Sequence, residues 1–443
     1  MGPGQVSRIS VPARYLRPML PRRISTSVLL AGALVLASCG SDADSETTDS
    51  ATVATDAAPE ESVATTVAAP ASTEPTSDTT AAPDGGSDSV VDQAAVDAAA
   101  AAFLEGQAAQ GVTAFYIAIS DPVNGDFESA YGDASVDGAA ATVDDSFRIG
   151  SITKTVTATV ILQLVDSGDL ALDDTVGALL PDLAAVHPEI AEVTVEQLLN
   201  MTSGIPDYLN MNDAIVPLDV DDPSTVWAPE ELIAAGVGAG VDETRAPSYS
   251  TTNFIILQLI AESVTGSSLQ DLISDQVTGP LGLDDLYLPP NEDTTLPEPA
   301  THGYIDGACL DEMVEDGATV EPGTDTTEWN ASYGQGGGGM TSTIADLLGW
   351  AESGSGNSLL DPATAELRVD SVQILVQGIP YGLGIMPLAP WIGHEGEAIG
   401  WEAFAVTNPE TGVSVAVAGN GCGGLFAGFL GVIDALYPDS MTG

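Results

Sequence analysis

Lysine is nearly absent from this chain. Its 443 residues hold nine Lys and Arg against 65 Asp and Glu, and Lys154 is the single lysine. Five arginines lie within the first 23 residues, so four cations beyond Cys39 face 65 acidic residues, a formal balance of −61. A surface of that charge repels nucleic acids and anionic membranes, so no nucleic-acid partner is expected. We interpret the acidity as an adaptation of an exported protein to salt or acid, or as a compositional bias of the source lineage.

Aromatic residues, histidines and cysteines are also few. Aromatics make up 5% of the chain, although hydrophobic residues reach 44%, enough for a full core. The three histidines lack the paired spacing of metal ligands, so no metal and no cofactor are predicted. Apart from Cys39, the cysteines are Cys309 and Cys422, an even pair that an exported protein could oxidise to a disulfide. They are far apart in sequence, and spacing alone leaves this bond open.

The N-terminal segment is typical of an exported lipoprotein. Arginines precede an apolar run, ISTSVLLAGALVLA, that is too short for a stable membrane span. The run ends in Leu-Ala-Ser-Cys-Gly at residues 36–40, which resembles a lipobox whose cysteine is lipidated and becomes the mature N-terminus. Residues 1–39 are therefore predicted to be a lipoprotein signal peptide and Cys39 its lipidation site, with ordinary secretion as the alternative. The lipid anchor would be the only membrane contact of a protein that faces the cell envelope.

The rest of the chain divides by composition. Residues 40–89 are rich in Ser, Thr, Ala, Pro and acidic residues and hold no aromatic. They cannot bury enough apolar surface to offset their conformational entropy, and we predict a disordered linker. Residues 90–443 are predicted to form the folded domain.

Within this domain, strand patterns occur near both ends. TAFYIAIS (113–120) and the residues after the turn at 121–126 predict one hairpin, and residues 401–421, turning at 409–412, predict another. Helices are expected at both ends, over 90–109 and 424–436, and the middle is mainly helical. The sequence therefore predicts an α/β fold, with an antiparallel sheet built from both termini, flanked by helices, and a mainly helical inserted domain.

The single lysine lies in FRIGSITKTVTATVILQLV, residues 147–165. Apolar residues cover much of the helix that this stretch predicts from Ser151 onward, which indicates a buried helix. Ser151 and Lys154 are three residues apart and share one face. Burial favours a neutral amine, and a neutral amine beside a hydroxyl is a general base beside a nucleophile. The helix N-terminus adds main-chain N–H groups where an oxyanion would form.

Both residues also have ordinary structural explanations. Serine is a common helix N-cap, and a lysine side chain can extend from a buried helix to solvent. However, a chain that avoids lysine elsewhere keeps it at position 154. This indicates a need for an amine that arginine, which does not deprotonate, cannot supply.

The longer stretch FRIGSITKTVTATVILQLVDSGDLALDDTVGALLPDL resembles the serine β-lactamase and D-alanyl-D-alanine carboxypeptidase family, nearest to its class C and soluble DD-peptidase branch. The resemblance spans about residues 95–435 and implies a β-lactamase/transpeptidase-like fold and an acyl-enzyme mechanism. It continues, in family order, through VTVEQLLNMTSGIPDY (193–208), YSTTNFIILQLIAESVTG (249–266), GQGGGGMTSTIADLLGW (334–350), YGLGI (381–385) and GHEGEAIGWEAFAVTNPETGVSVAVAGNG (393–421).

The resemblance implies a role for each matching residue. Ser151 corresponds to the acylated nucleophile, Lys154 to its partner base, and Tyr249 to the tyrosine that passes the proton to the leaving group. His394 matches the first position of a third motif on a strand beside the cleft, and it is predicted to be a fourth catalytic residue. Without the resemblance, Tyr249 would be interpreted as half-buried packing and His394 as a turn residue.

Backbone groups complete the implied site. Gly396 is the glycine of the third motif and lines the cleft as part of the substrate-binding surface. The main-chain N–H groups of Ser151 and Glu397 would form the oxyanion hole.

Two positions depart from the family pattern. The third residue of the tyrosine motif is usually an Asn that holds the substrate amide; here it is Thr251, and Asn253 comes two residues later. A hydroxyl hydrogen-bonds but cannot copy the paired donor and acceptor of an amide. Thr251 is nevertheless the predicted substrate-binding residue. The middle of the third motif, usually Ser or Thr, is Glu395, which would repel a substrate carboxylate if it faced the cleft.

The sequence therefore predicts a serine hydrolase that acts through an acyl-enzyme on amide or ester bonds. The substrate would be a small molecule or a peptidoglycan peptide. The enzyme would resemble a D-alanyl-D-alanine carboxypeptidase or be related to the β-lactamases. Two alternatives stay open: an esterase of the same family, and an inactive penicillin-binding or envelope-binding protein. No oligomeric state is predicted.

Overall fold

A computed structural model describes residues 91–108, 111–136, 138–209, 222–305, 321–421 and 424–437. The predicted signal peptide with Cys39, the predicted linker, and the Cys309 and Cys422 pair lie outside these residues. Within the described residues, no helix is both long and apolar enough to span a membrane.

Short and long strands both occur. The strands are β1 (Ala114–Ser120), β2 (Phe127–Gly132), β3 (Phe147–Arg148), β4 (Tyr304–Ile305), β5 (Thr324–Asp325), β6 (Thr341–Ser342), β7 (Gln373–Ile374), β8 (Pro380–Tyr381), β9 (Met386–Leu388), β10 (Trp391–Ala398), β11 (Trp401–Thr407) and β12 (Ser414–Asn420).

Most helices lie between β2 and β9. The α-helices are α1 (Gln93–Gln107), α2 (Thr153–Ser167), α3 (Val176–Leu179), α4 (Pro181–Val186), α5 (Val195–Leu199), α6 (Pro229–Gly238), α7 (Thr251–Thr265), α8 (Leu269–Ile273), α9 (Gly279–Leu281), α10 (Gln335–Gly338), α11 (Ile344–Glu352), α12 (Pro362–Asp370) and α13 (Leu425–Leu436).

The two ends of the chain build one antiparallel sheet. Its strand order is β2-β1-β12-β11-β10-β9. At the centre β1 pairs with β12, with Ile117 opposite Val417. The predicted sheet and both predicted hairpins are confirmed. Because β9 pairs only with the first part of β10, residues 394–398 lie along an open edge, and the helical region faces that edge.

The two faces of the sheet differ in side-chain size. On one face, Phe115, Phe404 and Val417 pack in a cluster with α1 and α13. On the other, alanines such as Ala118, Ala405 and others on β11 and β12 pack against the helical region. Side chains alternate between faces along a strand, so small residues let the helices approach on one side while large ones fill the other.

Helix α2 runs through the core of the helical region. The expected helix start at Ser151 differs slightly from the structure: a 3-10 turn spans Gly150–Ile152 and the α-helix begins at Thr153. The helix ends at Gly168, whose φ of +78° suits glycine. Its buried threonines hydrogen-bond main-chain carbonyls, as Thr155 Oγ1 does to Ile152 O at 2.7 Å. These bonds satisfy hydroxyls that would otherwise be costly to bury.

Candidate active site

Ser151 and Lys154 meet at the start of the buried helix. Lys154 Nζ lies 3.0 Å from Ser151 Oγ and 2.7 Å from the main-chain oxygen of Gly337, in α10. The Lys154 side chain is fully buried, whereas Ser151 keeps partial access to solvent. The pair therefore has the separation that proton transfer needs, with the hydroxyl on the open side.

The environment of Lys154 favours a neutral amine. Burial lowers the pKa of Lys154 to about 7, and the nearby Asp207 carboxylate partly opposes that shift. A neutral amine can donate one N–H to Gly337 O while its lone pair accepts the Ser151 proton. This arrangement is chemically competent to activate the serine near neutral pH.

Two glycines let strand β10 approach the nucleophile. A Cβ on Gly396 would lie 1.9 Å from Ile149 O, and a Cβ on Gly150, whose φ is +49°, would lie 2.5 Å from Glu397 N. The main chain of Glu397 thus lies directly against the residue before Ser151. This close approach is the geometry that an oxyanion hole between Ser151 and Glu397 requires.

Tyr249 lies beside both the nucleophile and the lysine. A hydrogen bond joins the Tyr249 and Ser151 side chains, and Lys154 Nζ is 4.8 Å from the centre of the Tyr249 ring. Burial, followed by the charges of Tyr381, Asp207 and Glu395, raises the pKa of Tyr249 well above its usual value. The phenol therefore keeps its proton and is suited to relay a proton to a leaving group.

His394 lies behind Tyr249 and is fully buried. Its Nε2 is 3.1 Å from the hydroxyl of Tyr381, and its Nδ1 hydrogen-bonds the main-chain oxygen of Glu395. Burial lowers the pKa of His394 to about 3. The third motif accordingly supplies no positive charge at neutral pH.

Thr251 contacts a carboxylate that the sequence reasoning did not single out. Thr251 Oγ1 lies 3.3 Å from Asp207 Oδ2, and Leu209 N donates to Asp207 Oδ1 at 3.0 Å. Burial raises the pKa of Asp207, and Lys154 opposes the rise. Asn253 instead faces away, accepting from Ser203 Oγ at 2.7 Å. The position that the family fills with Asn is thus occupied by a threonine paired with an acid.

Glu395 alternates with His394 and Gly396 along β10. It lies opposite Phe404 in the sheet, on the face that carries α1 and α13, so its side chain starts away from the cleft. The surrounding protein and Glu402 raise the pKa of Glu395 to about 7, although its side chain keeps contact with solvent. Its charge still contributes to the raised pKa of Tyr249.

The three arginines of the described domain form hydrogen bonds with other parts of the protein. Arg148 is buried, donates to Thr294 O and Trp329 O, and stacks on a tryptophan ring. Arg368 is fully buried and donates to several carbonyl oxygens. Arg245 bonds Gln197. Together with Lys154 these are all the Lys and Arg after residue 40, and of the four only Arg245 has a partly exposed side chain.

The Beta-lactamase family model matches residues 93–428. The chain belongs to the beta-lactamase family. The predicted family and fold are therefore confirmed, and the protein is a serine hydrolase of this family.

Individual relatives of this beta-lactamase-family chain have varied names. It is 30% identical over 303 residues to penicillin-binding protein 4 of Amycolatopsis lactamdurans, covering 64% of this chain and 74% of that protein. It is 29% identical to a D-aminopeptidase of Brucella anthropi, covering 59% of this chain but only 47% of the relative. A D-stereospecific amidohydrolase from Streptomyces superposes with a TM-score of 0.64 at 28% identity, covering 77% of this chain and 98% of that structure.

The predicted side chains of this beta-lactamase-family site gather as the resemblance implied. Ser151, Lys154, Tyr249 and His394 lie together, and Gly396 and Glu397 border them; their chemical roles stay predictions. Within the described segments, no group of three or more His, Cys, Asp or Glu could hold a metal ion.

Two residues of the site were missed. Asp207 lies in a quoted family stretch, SGIPDY, but its charge carried no signal among 65 acidic residues. Tyr381 opens the quoted YGLGI stretch, which by itself predicts no role for the ring. Their positions beside Lys154 and His394 depend on tertiary packing alone.

Proposed function

We propose that this serine hydrolase cleaves an amide next to a free amino group, in the manner of a D-amino acid amidase or aminopeptidase. The observation that carries the proposal is the Asp207 carboxylate, which is held by Thr251 and lies close to the catalytic pair's Lys154. A half-buried carboxylate near Lys154 and Tyr249 attracts an ammonium group and repels a carboxylate.

The distribution of cations supports the same conclusion. A penicillin or a D-alanyl-D-alanine peptide carries a carboxylate next to the scissile bond, and such groups are usually bound by a cation. In this chain Arg148 and Arg368 are buried in other contacts, and His394 is neutral. An amide or ester with an uncharged leaving group suits the site better.

The relatives add support of a different kind. The D-aminopeptidase of Brucella anthropi and the D-stereospecific amidohydrolase of Streptomyces are named for reactions on D-configured substrates. We infer the same configuration for the acyl group here.

The proposed reaction has two steps, acylation of Ser151 and hydrolysis of the resulting ester. Ser151 Oγ attacks the amide carbonyl while Lys154 takes its proton, and the N–H groups of Ser151 and Glu397 stabilise the oxyanion. The proton passes through Tyr249 to the leaving nitrogen, the C–N bond breaks, and an ester to Ser151 remains. Water then attacks the ester while the Lys154 and Tyr249 pair takes its proton. The bond from the carbonyl carbon to Ser151 Oγ breaks, the pair returns that proton to Ser151 Oγ, and the free acid leaves.

We further propose that the enzyme is a lipoprotein anchored through Cys39 and facing the cell envelope. The lipobox-like residues 36–40 and the composition of residues 40–89 support this. In the native host, Cys39→Ser is expected to move the protein from the membrane fraction to the soluble fraction. If the variant and the wild type partition alike, the anchor proposal is wrong.

The substrate proposal is tested with matched amides. We expect D-phenylalanine amide to be hydrolysed with a kcat/KM about 10–100-fold above that of its N-acetyl derivative, as a charge-assisted contact implies. In Asp207→Asn this ratio should fall to about one, and Ser151→Ala should hydrolyse neither. Equal rates for the two amides in the wild type would overturn the proposal.

Three further probes separate the alternatives. Faster turnover of a D-alanyl-D-alanine peptide or a chromogenic cephalosporin than of the free-amine amide would favour the carboxypeptidase or β-lactamase. Turnover of nitrophenyl esters alone would favour the esterase. Folded protein that gains no mass at Ser151 from a fluorophosphonate would favour the inactive binder.

A further inference from the structure

We infer that Tyr381 is a positioning residue of the active site: its hydroxyl fixes His394 as the neutral Nδ1–H tautomer, and the two rings hold Tyr249 against Ser151 and Lys154. The inference rests on the proposed function, because the position of Tyr249 matters only if the serine is acylated.

The hydrogen bonds of His394 determine where its proton lies. Nδ1 contacts the main-chain oxygen of Glu395, and a carbonyl oxygen only accepts, so Nδ1 carries the hydrogen. Nε2 lies 3.1 Å from Tyr381 Oη. In a neutral ring Nε2 then has a lone pair, and the Tyr381 hydroxyl must donate to it.

The surroundings keep both groups uncharged. His394 and Tyr381 are fully buried. Burial lowers the pKa of His394 to about 3, with Lys154 and Arg368 acting in the same direction and the Glu395 main-chain bond opposing them. Burial also raises the pKa of Tyr381, so the phenol keeps the proton that it donates.

The pair forms one wall of the Tyr249 site. The Tyr381 ring meets the Tyr249 ring edge-on, with centroids 5.9 Å apart and an interplanar angle of 85°, and the His394 centroid is 6.3 Å from that of Tyr249. Lys154 Nζ is 4.8 Å from the same ring. A charged His394 would add a positive charge near Lys154, and the other tautomer would leave Glu395 O without this donor. The Tyr381 hydroxyl opposes both states.

The first test is spectroscopic and needs no turnover. In protein labelled with ¹⁵N-histidine only His187, His302 and His394 contribute, and His394→Gln assigns the third. We expect long-range ¹H–¹⁵N spectra of the wild type to show His394 with Nδ1 protonated from pH 5 to 8. In Tyr381→Phe we expect a mixture of tautomers and a pKa at least one unit higher. An Nε2–H tautomer in the wild type, or titration between pH 5 and 8, would overturn the inference.

The second test is kinetic. Tyr381→Phe is expected to lower kcat about tenfold and leave KM within twofold, because the phenyl ring still fills the wall. Tyr116→Phe is the matched control: Tyr116 is also fully buried, and its hydroxyl bonds Asp145 at 2.7 Å, away from the site. The control should change neither kcat nor the His394 spectrum.

Two substitutions of His394 test the same positioning role if Tyr381→Phe does not fold. His394→Gln offers Tyr381 an amide acceptor and should keep at least tenfold more kcat than His394→Leu. Equal kcat values for the two would overturn the positioning role. If the wild-type spectrum is as expected but no Ser151-dependent turnover occurs, the proposed function fails and the tautomer assignment stands.

Discussion

At the residue scale, Lys154 determines the expected pH dependence of activity. Burial lowers the pKa of this amine to about 7, and only the neutral form accepts the serine proton. We therefore expect kcat/KM for an uncharged substrate to fall tenfold per pH unit well below pH 7 and to level off above it. A pH–rate profile on a neutral amide or ester measures this directly.

The Asp207→Asn variant checks whether Lys154 causes the fall of kcat/KM below pH 7, the acidic limb of the profile. The Asp207 carboxylate favours the protonated amine and so raises the pKa of Lys154. Removing the charge should therefore lower that pKa and move the acidic limb about one unit to lower pH. An unmoved limb, or one displaced to higher pH, would show that another group controls the profile.

The Ser151 and Lys154 pair could be predicted from the sequence because both residues lie within one turn of one helix. Asp207 and Thr251 are 44 residues apart and meet only through the packing of α7. Tyr381 lies in β8, which pairs with β7 in a two-stranded sheet, and His394 lies in β10 of the six-stranded sheet, so their hydrogen bond depends on how the two sheets pack. Local periodicity carries no information about such pairs. The helix pattern alone predicted the nucleophile and its base, the family resemblance added residues such as Tyr249 and His394, and Asp207 and Tyr381 were not predicted.

At the element scale, the approach of β10 to the nucleophile depends on Gly396. A Cβ there would lie 1.9 Å from Ile149 O, so Gly396→Ala must push the strand from the helix start and widen the oxyanion hole. We expect at least a 100-fold loss of kcat, the scale for losing an oxyanion donor. Steady-state kinetics with circular dichroism as a folding check measures it.

Gly238→Ala is the matched control for that substitution. Gly238 ends α6, and a Cβ there meets nothing within 4 Å. Alanine should leave kcat unchanged and raise stability by up to about 1 kcal/mol through helix propensity. Similar kinetics for the two alanine variants would contradict the role given to Gly396.

Arg368 joins three segments of the chain, one of them the nucleophile helix. Its guanidinium donates to Thr155 O in α2 at 2.9 Å, to Ser355 O at 2.8 Å and to Leu383 O at 3.2 Å. Arg368→Gln leaves buried carbonyls unpaired, and we expect a loss of about 3 kcal/mol in the free energy of unfolding. Urea denaturation measures it. Arg245→Gln, at a partly exposed arginine, should cost less than about 1 kcal/mol, and equal losses would argue against the buried connection.

At the scale of the whole molecule, the sheet could be predicted because each strand carries its own alternating pattern. The two hairpins, β1 with β2 and β11 with β12, were recognisable locally, and strand patterns at both ends with helices between them predicted that they join in one sheet. The sequence did not predict which face of the sheet packs against the helical region. Alanines lie on that face and large side chains lie on the other, and this separation is visible only once the strand register, such as Ala118 opposite Ala416, is known.

The acidity of the molecule leads to a prediction about salt. Carboxylates at this density repel one another and destabilise the compact state. Salt screens this repulsion over a Debye length of about 10 Å at 0.1 M, and the Debye length shortens as the salt concentration rises. We expect the Tm at pH 7.5 to rise by about 5 °C or more between 0.05 and 2 M NaCl. At pH 4.5, where many carboxylates take up protons, the same salt step should raise the Tm less. Differential scanning calorimetry of the full chain compares the two slopes. Equal slopes would mean that salt acts by strengthening apolar burial, and a flat response at pH 7.5 would favour compositional bias over adaptation to a saline habitat.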